Sequence, residues 1–379
     1  MITCARMRRS RPSHRAFPTS QSPLLLLPSI LLSFSAMTFA PRSAYARCND
    51  PQTSACINSD TLWPHAGPSH FVGIGGTDTV AAGRVGFGLF TTYLSRPILL
   101  HIPSPALGGT DLKAVDNQVD TTFLFSYGIS KRLQLDLEMP LTLIQSGSGV
   151  SGITGGDGLR DTAMRDLRFG FAFAIVPPDA PDEPGTPDGA STPSPWSLAG
   201  RLVVSAPTGD AGQFAGDKSA VFSPSLAGEV RLGRFFSGME LGVRVRETSE
   251  LEGARIGTQG YAAIGFGFDI LTHDGLSLTA EGRALPVFTE QHDLVQNGAF
   301  LESQPNGKHI VPAEWTAALR SAPFRAADVA FQLGGGGAIP FGDPLALTTP
   351  RFRFTLGIVY APRPPTPPKA LSPTASASL

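Results

Sequence analysis

Residues 114–143, AVDNQVDTTFLFSYGISKRLQLDLEMPLTL, alternate between apolar and polar side chains on both sides of a short turn at residues 128–132. Before the turn, Val119 belongs to the apolar face and Asp120 to the polar face, and Leu137 continues the apolar face after it. Successive side chains of a β-strand point to opposite faces. The segment is therefore predicted to be a β-hairpin with one apolar and one charged surface.

The same alternation recurs in about twelve segments of about ten residues, the length that crosses a bilayer at a tilt. Charged residues make up only 16% of the chain, which also contains 42 glycines and 34 prolines. These features predict an all-β fold, a transmembrane antiparallel up-and-down β-barrel of about 12 strands over residues 84–361. A water-soluble β-sandwich shares this period, but its polar face would meet water instead of enclosing a lumen.

Connection lengths and aromatic residues agree with a barrel. Residues 95–113, 145–165, 247–259 and 285–309 are expected to form long extracellular loops, which alternate with short periplasmic turns. Residues 177–195, rich in Pro, Asp and Gly, are predicted to be a disordered insertion at one periplasmic joint. Aromatic side chains are expected at the periplasmic boundary of the membrane. They are Tyr127, Trp196, Phe235, Phe268, Phe324 and Tyr360.

The N-terminus has the pattern of a secretory signal. Several arginines precede an apolar stretch at residues 24–40, and residues 44–46 supply an A-x-A cleavage site. Residues 1–46 are therefore predicted to be a signal peptide that is cut near Ala46, which directs the protein to the cell outer membrane. An uncleaved anchor is the alternative, although Pro28 and Pro41 interrupt the apolar stretch.

The segments that flank the barrel show no sustained period. Residues 47–83 are predicted to be an irregular N-terminal segment, a candidate plug that lies either in the lumen or in the periplasm. Cys48 and Cys56 are a disulfide candidate in an oxidising compartment, with two free thiols as the alternative. Residues 362–379, rich in Pro, Ser and Ala, are predicted to be a disordered tail.

The polar parity of the strands carries acidic residues and arginines but no lysine, and these side chains are predicted to line the lumen. Arginine forms planar, two-pronged pairs with carboxylates, so such an interior can build a charge network. A selectivity filter is the alternative. The predicted lumen-lining residues are Asp116, Asp120, Asp136, Glu138, Arg168, Arg201, Glu229, Arg231, Glu240, Arg244, Arg246, Glu281, Arg283, Glu314, Arg320, Arg351 and Arg353.

Neighbouring strands suggest specific partners within this set. The expected pairs are Glu138 with Arg168, Arg283 with Glu314, and Arg231 with Glu240. Gly86 and Gly88 leave the first strand small on its inner face, which would let Arg351 or Arg353 reach across the closing seam to Asp116 or Asp120.

Motifs of soluble enzymes are missing from the sequence, so no catalytic residue, metal ligand or cofactor is predicted. A barrel lipase needs Ser and His together on the lipid-facing rim, and no outward strand position carries a histidine. The formal net charge of -1 gives no indication of nucleic-acid binding. The expected partners are outer-membrane lipid, the barrel-insertion machinery and small solutes, while the oligomeric state is open.

The segment at residues 122–147, TFLFSYGISKRLQLDLEMPLTLIQSG, followed by Asp166, Leu167 and Arg168, resembles a family of Gram-negative outer-membrane barrels. The resemblance extends loosely over residues 60–361. It implies a transporter-like or porin-like barrel of the type often found before an OmpA-like peptidoglycan-binding domain. Only the short tail follows Tyr360 here, so peptidoglycan tethering is not carried over. The aromatic last strand resembles the signal read by the insertion machinery.

Two functions follow from these predictions. The first is a passive channel or transporter for small solutes across the outer membrane. The second is a non-conducting structural or interaction barrel whose lumen is closed by the network of arginines and carboxylates.

Overall fold

The computed structural model describes residues 48, 54–102, 110–151, 158–178, 195–271, 275–297, 300–321, 328–341 and 346–362. Twelve antiparallel strands in this part of the chain form one closed sheet. The strands are β1 Val85–Ile102, β2 Thr110–Gly128, β3 Leu133–Ser146, β4 Arg168–Val176, β5 Trp196–Ser205, β6 Val221–Leu232, β7 Phe235–Arg244, β8 Gln259–Asp269, β9 Leu276–Ala284, β10 Ala313–Ser321, β11 Val329–Ala338 and β12 Phe352–Tyr360.

The barrel closes between its first and last strands. Strand β1 pairs with β2 on one side and with β12 on the other, where the ladder runs from Phe87 opposite Tyr360 to Ser95 opposite Phe352. Every other strand pairs with its neighbours in chain order. The prediction of an all-β, antiparallel, up-and-down barrel is therefore confirmed, and a sandwich is excluded because the sheet has no pair of open edges.

The two ends of the barrel differ. Residues 129–132 and 233–234 are tight connections at one end, here called the turn end, and the long connections lie at the opposite loop end. Residues 95–113 were expected to be a loop, but β1 extends to Ile102 and β2 starts at Thr110. These two strands are 18 and 19 residues long and project at the loop end.

Short additional strands lie at the loop end. Ala163–Met164 pairs with β3, and Ser249–Leu251 pairs with Ala254–Ile256 in a short hairpin between β7 and β8. A second hairpin, His292–Asn297 with Phe300–Pro305, lies between β9 and β10. The predicted signal peptide, nearly all of the C-terminal tail and most of the 177–195 insertion fall outside the described residues.

The outer surface of the wall is apolar. Leu137, Met239 and Ile264 are 37–50% exposed, whereas Asp136 and Glu138, which face inward from the same strand as Leu137, are at most 6% exposed. Such an apolar band around a closed sheet is the surface that contacts lipid. No helix in the described ranges is long and apolar enough to cross a membrane.

Aromatic side chains mark the turn end of this apolar band. Tyr127, Trp196, Phe235 and Tyr360 are all exposed on the outer face, and the rings of Phe235 and Phe268 lie 4.8 Å apart. Rings of this kind favour the boundary between lipid and water. The sixth predicted aromatic, Phe324, falls outside the described residues.

Substitution of Ile264 by arginine tests the lipid-facing assignment. Ile264 lies midway along β8, so Ile264→Arg should lower the free energy of unfolding in lipid vesicles by about 2–4 kcal/mol. Leu271→Arg, just beyond the turn end of the same strand, should cost only about 0–1 kcal/mol. Equal effects at the two positions in denaturant titrations would contradict the assignment.

Candidate functional site

The lumen is filled by residues 54–83, here called the plug. Its first residues lie at the loop end, where the Ser54 amide donates to the Glu250 carbonyl (3.0 Å) and the Ser59 amide to the Phe214 carbonyl (2.9 Å). At the turn end, the Val80 amide donates to Gln134 Oε1 (2.7 Å), shortly before β1 begins. Of the two locations left open by the sequence, the structure shows the lumen.

Wall carboxylates bind the backbone of the plug at mid-barrel. The Gly75 amide donates to Glu240 Oε2 (2.7 Å), and the Gly73 amide donates to Glu281 Oε2 (2.8 Å). The Val72 amide binds the other oxygen of Glu281. An irregular segment has no ladder partner for its N–H groups, and a buried N–H without an acceptor is costly. The two glutamates therefore supply the acceptors that this part of the plug lacks.

The wall also makes room for the plug. A Cβ atom built on Gly238 of β7 or Gly265 of β8 would lie 2.5 or 2.6 Å from the ring of Phe71. Any larger residue at these positions would collide with the ring. The ring of Phe71 therefore lies against the backbone of these two glycines. It also packs edge-on against Phe236, with ring centroids 5.5 Å apart.

A chain of charges connects the plug to the wall near the loop end. Arg353 is fully buried, and its Nη2 donates to Asp60 Oδ1 (2.8 Å) while its Nε donates to Glu314 Oε2 (2.8 Å). Arg283 Nη2 donates to the other oxygen of Glu314 (2.7 Å). Arg353 thus bridges the plug carboxylate and the wall carboxylate Glu314, and the desolvated charges compensate each other.

The contacts of Arg353 show that the predicted contact across the β1–β12 seam is wrong. Arg353 does not reach Asp116 or Asp120, because the plug places Asp60 nearer to its guanidinium group. Asp120 instead binds Arg165 Nη1 (2.8 Å), a residue of the loop before β4. Arg351 lies just before β12 and is exposed, so it does not line the buried lumen.

Two expected ion pairs are present and one is wrong. Arg168 Nη1 lies 3.1 Å from Glu138 Oε2, and Arg283 pairs with Glu314 as described. Arg231, however, binds Asp269 (2.7 Å) at the exposed turn end. Glu240 instead contacts the plug, where His65 Nε2 lies 3.3 Å from Glu240 Oε2.

The other predicted lumen residues differ in their position along the barrel and in their burial. Asp136 binds Arg201 Nη2 (3.3 Å) inside the barrel, and Glu229 lies 2.9 Å from His70 near the turn end. Arg246 binds Asp217 (2.6 Å) near the loop end, and Arg320 is half-buried. The buried members of the set, all at most 8% exposed, are Asp120, Asp136, Glu138, Arg168, Arg201, Glu240, Arg244, Glu281, Arg283, Glu314 and Arg353.

Asp116 leaves the lumen because the strand is irregular there. The β1–β2 register shifts between Ser95 and Ile98 and again between Ile98 and Leu99, and Val115 and its neighbour Ala114 are both buried at the second shift. A β-bulge of this kind interrupts the strict alternation of side chains. Asp116 is 31% exposed as a result, and its Oδ1 lies 3.4 Å from Arg96 Nε.

Little space is left between plug and wall. A cavity of about 20 Å³, lined in part by His65, Phe90, Leu124 and Arg320, lies beside the plug. A volume of this size holds about one or two water molecules. Leu62, Trp63 and Ile74 of the plug are at most 6% exposed, so the plug packs closely against the wall.

The loop end is sealed by an apolar cluster. Ile57 of the plug packs with Ile98, Val115, Phe214 and Leu251, which are all almost completely buried. Just before this cluster, Cys48 and Cys56 form a disulfide bond, with Cα atoms 5.6 Å apart. The apolar cluster anchors the first part of the plug to the projecting hairpin and the loops, and the disulfide bond closes a short loop within the N-terminal segment itself.

Asp166 organises the loop beside this seal. Its two oxygens accept the amides of Gly209 (2.8 Å) and Asp217 (2.7 Å). Burial raises the pKa of Asp166 to about 7, and the negative charge of Asp217 adds to the effect. Asp166 is therefore a loop group that titrates near neutral pH.

No protein-family model matches the chain, and no curated protein matches its sequence. Among solved structures, an outer membrane channel from Pseudomonas putida F1 is similar with a TM-score of 0.51 and 13% identity, covering 76% of this chain and 98% of that one. The NanC porin has a TM-score of 0.40 and 7% identity over 73% of this chain and 99% of that one. At this identity the first likeness shows the fold alone, a barrel of the outer-membrane type.

The contact between Arg353 and Asp60 can be measured by a double-mutant cycle. Arg353→Met leaves the Asp60 carboxylate buried without its main partner and should lower the free energy of unfolding by about 3–5 kcal/mol. Adding Asp60→Asn should recover part of this loss, because the remaining group is neutral. Arg351→Met, on the exposed neighbour, is the control with little effect. Additive effects of the two buried substitutions in lipid-vesicle unfolding would contradict the contact.

The pKa of Asp166 predicts a pH dependence. The folded barrel keeps this proton up to about pH 7, whereas the unfolded chain loses it near the usual value of 3.8. The free energy of unfolding should therefore fall as the pH rises from about 4 to about 7, by at most about 4 kcal/mol, and then level off. Asp166→Asn should remove this component and the exposed Asp161→Asn should retain it, while identical pH profiles for both variants would argue against it.

Proposed function

We propose that the protein is a passive channel for small solutes in the outer membrane, and that the plug closes it at rest. The observation that carries this proposal is that the sheet of the wall is closed by its own strands, with the plug inside it. The ladder of twelve strands closes through direct β1–β12 pairing, and the plug joins a wall strand at the turn end, where the Gly83 amide donates to the Gly128 carbonyl (2.7 Å). Movement of the plug would therefore open a lumen without breaking the sheet.

The contacts between plug and wall suit a reversible closure. They include hydrogen bonds and ion pairs, such as Asp60 with Arg353 and the Gly75 amide with Glu240, which water can replace when the plug moves. Acidic and basic side chains are both present inside the barrel in similar numbers, so an open state should have weak ion selectivity. The apolar outer band and the turn-end aromatic residues support a location in the outer membrane, to which the predicted signal peptide would direct the chain.

One observation favours the second function, a structural barrel that does not conduct. The plug residues Leu62, Trp63, Phe71 and Ile74 are at most 6% exposed, and the cavity of about 20 Å³ beside the plug is too small for a solute path. The two functions therefore differ in whether the plug moves. A covalent bond that holds the plug to the wall would distinguish between them.

Thr77 and Ser197 offer a position for such a lock. The hydroxyl oxygen of Thr77 in the plug lies 2.7 Å from that of Ser197 in β5, which brings the two side chains within reach of a disulfide bond. The double variant Thr77→Cys/Ser197→Cys should show no openings in planar bilayers when oxidised. Addition of a reductant should restore the openings of the wild-type protein.

Matched controls complete this experiment. The two single-cysteine variants should open equally with and without reductant, which accounts for any effect of reducing the Cys48–Cys56 bond. Openings of the oxidised double variant at the wild-type frequency would show a path that does not need the plug to move. Silence of the folded wild-type protein under all conditions would instead support the structural barrel.

A further inference from the structure

The plug inserts one aromatic ring between two cationic groups of the wall. Trp63 is 6% exposed, and the guanidinium carbons of Arg168 and Arg244 lie 5.0 and 4.1 Å from its ring centroid. The ring also packs against Val203 and Val221. The position thus has an apolar wall and cations that face an aromatic surface, an arrangement that is strongest when water is excluded.

The charge at this position is not balanced by the plug. Arg244 is 5% exposed, and its Nη1 donates to the Thr61 carbonyl (3.0 Å). Within the described ranges no carboxylate forms an ion pair with Arg244, and its Nε has no acceptor. Burial of a cation without an anion is unfavourable. The wall therefore presents a positive charge that Trp63 meets only with its ring.

A third arginine adds donors at the same place. Arg283 Nη2 lies 3.5 Å from Thr61 Oγ1, so Arg244 and Arg283 converge on the residue two positions before Trp63. The Nε and Nη1 atoms of Arg283 are buried without acceptors, although its Nη2 binds Glu314. Buried N–H donors without acceptors are rare in folded proteins and indicate a missing partner.

We propose that Arg168, Arg244 and Arg283 form a binding site for aromatic carboxylates, and that Trp63 occupies it in the closed state. This inference rests on the proposed channel function and names its substrate class. When the plug moves, the aromatic ring of the ligand takes the place of the indole between Arg168 and Arg244. Its carboxylate accepts the free N–H groups of Arg244 and Arg283.

Other ligand classes match the site less well. A neutral aromatic ring leaves Arg244 without an anion, as Trp63 does. An aliphatic carboxylate pairs with the arginines but offers no ring face to the guanidinium groups. An aromatic acid satisfies both requirements, because arginine stacks on ring faces and binds carboxylates with its planar set of donors.

The test is the equilibrium binding of benzoate to the full chain in detergent micelles, measured by titration calorimetry. Trp63→Ala vacates the site and should bind benzoate at least about tenfold more tightly than the wild-type protein, because the indole no longer competes. Trp315→Ala, which removes a half-exposed tryptophan from the outer face, should behave like the wild type. Equal affinity in all three proteins would overturn the proposal.

The role of the arginines and of the ring is tested on the same background. Arg244→Met added to Trp63→Ala should weaken benzoate binding by at least about tenfold. Cyclohexanecarboxylate and benzyl alcohol, which lack the ring or the charge, should both bind more weakly than benzoate to Trp63→Ala. Binding that is independent of Arg244, or as tight for either of these two ligands, would overturn the assignment.

Folding of each variant is checked by the heat-dependent shift of the barrel on a gel. If Trp63→Ala does not fold, Trp63→Leu, which keeps an apolar contact with Val203, replaces it. Calorimetry measures occupancy of the site and does not require a continuous path for ions through the barrel. A silent protein that binds benzoate through Arg244 therefore contradicts the channel but supports the site. A conducting protein whose Trp63 variants do not bind benzoate contradicts the site alone.

Discussion

The bilayer requires every backbone N–H and C=O group at membrane depth to find a partner within the protein. A sheet meets this requirement only when its first strand pairs with its last, as β1 and β12 do here. Closure gives the wall an apolar outside and a polar inside. The plug then fills the polar inside, and it brings backbone donors and side chains that must be paired in turn, which is why wall carboxylates such as Glu240 and Glu281 bind peptide groups.

The sequence predicted the wall well because one physical rule governs every strand. The surroundings differ on the two faces, so a period of two assigned Leu137 to the outside and Glu138 to the inside. The same rule failed at Asp116, which lies opposite an irregularity of β1 between Ser95 and Ile98, although Pro97 is a sequence signal for such a bulge. It also gave no account of Arg165, which belongs to a loop and nevertheless binds Asp120 inside the barrel.

The contents of the lumen were much less predictable. Residues 47–83 have no repeating pattern, so nothing local distinguished Asp60 and Trp63 from solvent-exposed loop residues. Yet Asp60 determines the partner of Arg353, and Trp63 lies beside an arginine without a carboxylate. Which charges lie inside follows from strand parity, whereas which charges pair depends on a segment whose path is set only by tertiary contacts. The alternation of the strands therefore does not determine the pairing at the candidate site.

The use of peptide amides by the wall has a consequence for evolution. Glu240 and Glu281 bind the plug through the N–H groups of Gly75, Val72 and Gly73, and every residue type except proline offers such a group. These hydrogen bonds do not depend on the plug side chains, although at Gly75 a Cβ atom would lie 2.7 Å from Arg201 Cδ, so that position is limited to glycine by space. At the wall positions, a side chain without an acceptor oxygen would leave buried amides unpaired. Related barrels should thus keep an acceptor at these two wall positions while plug side chains that do not face a crowded wall diverge.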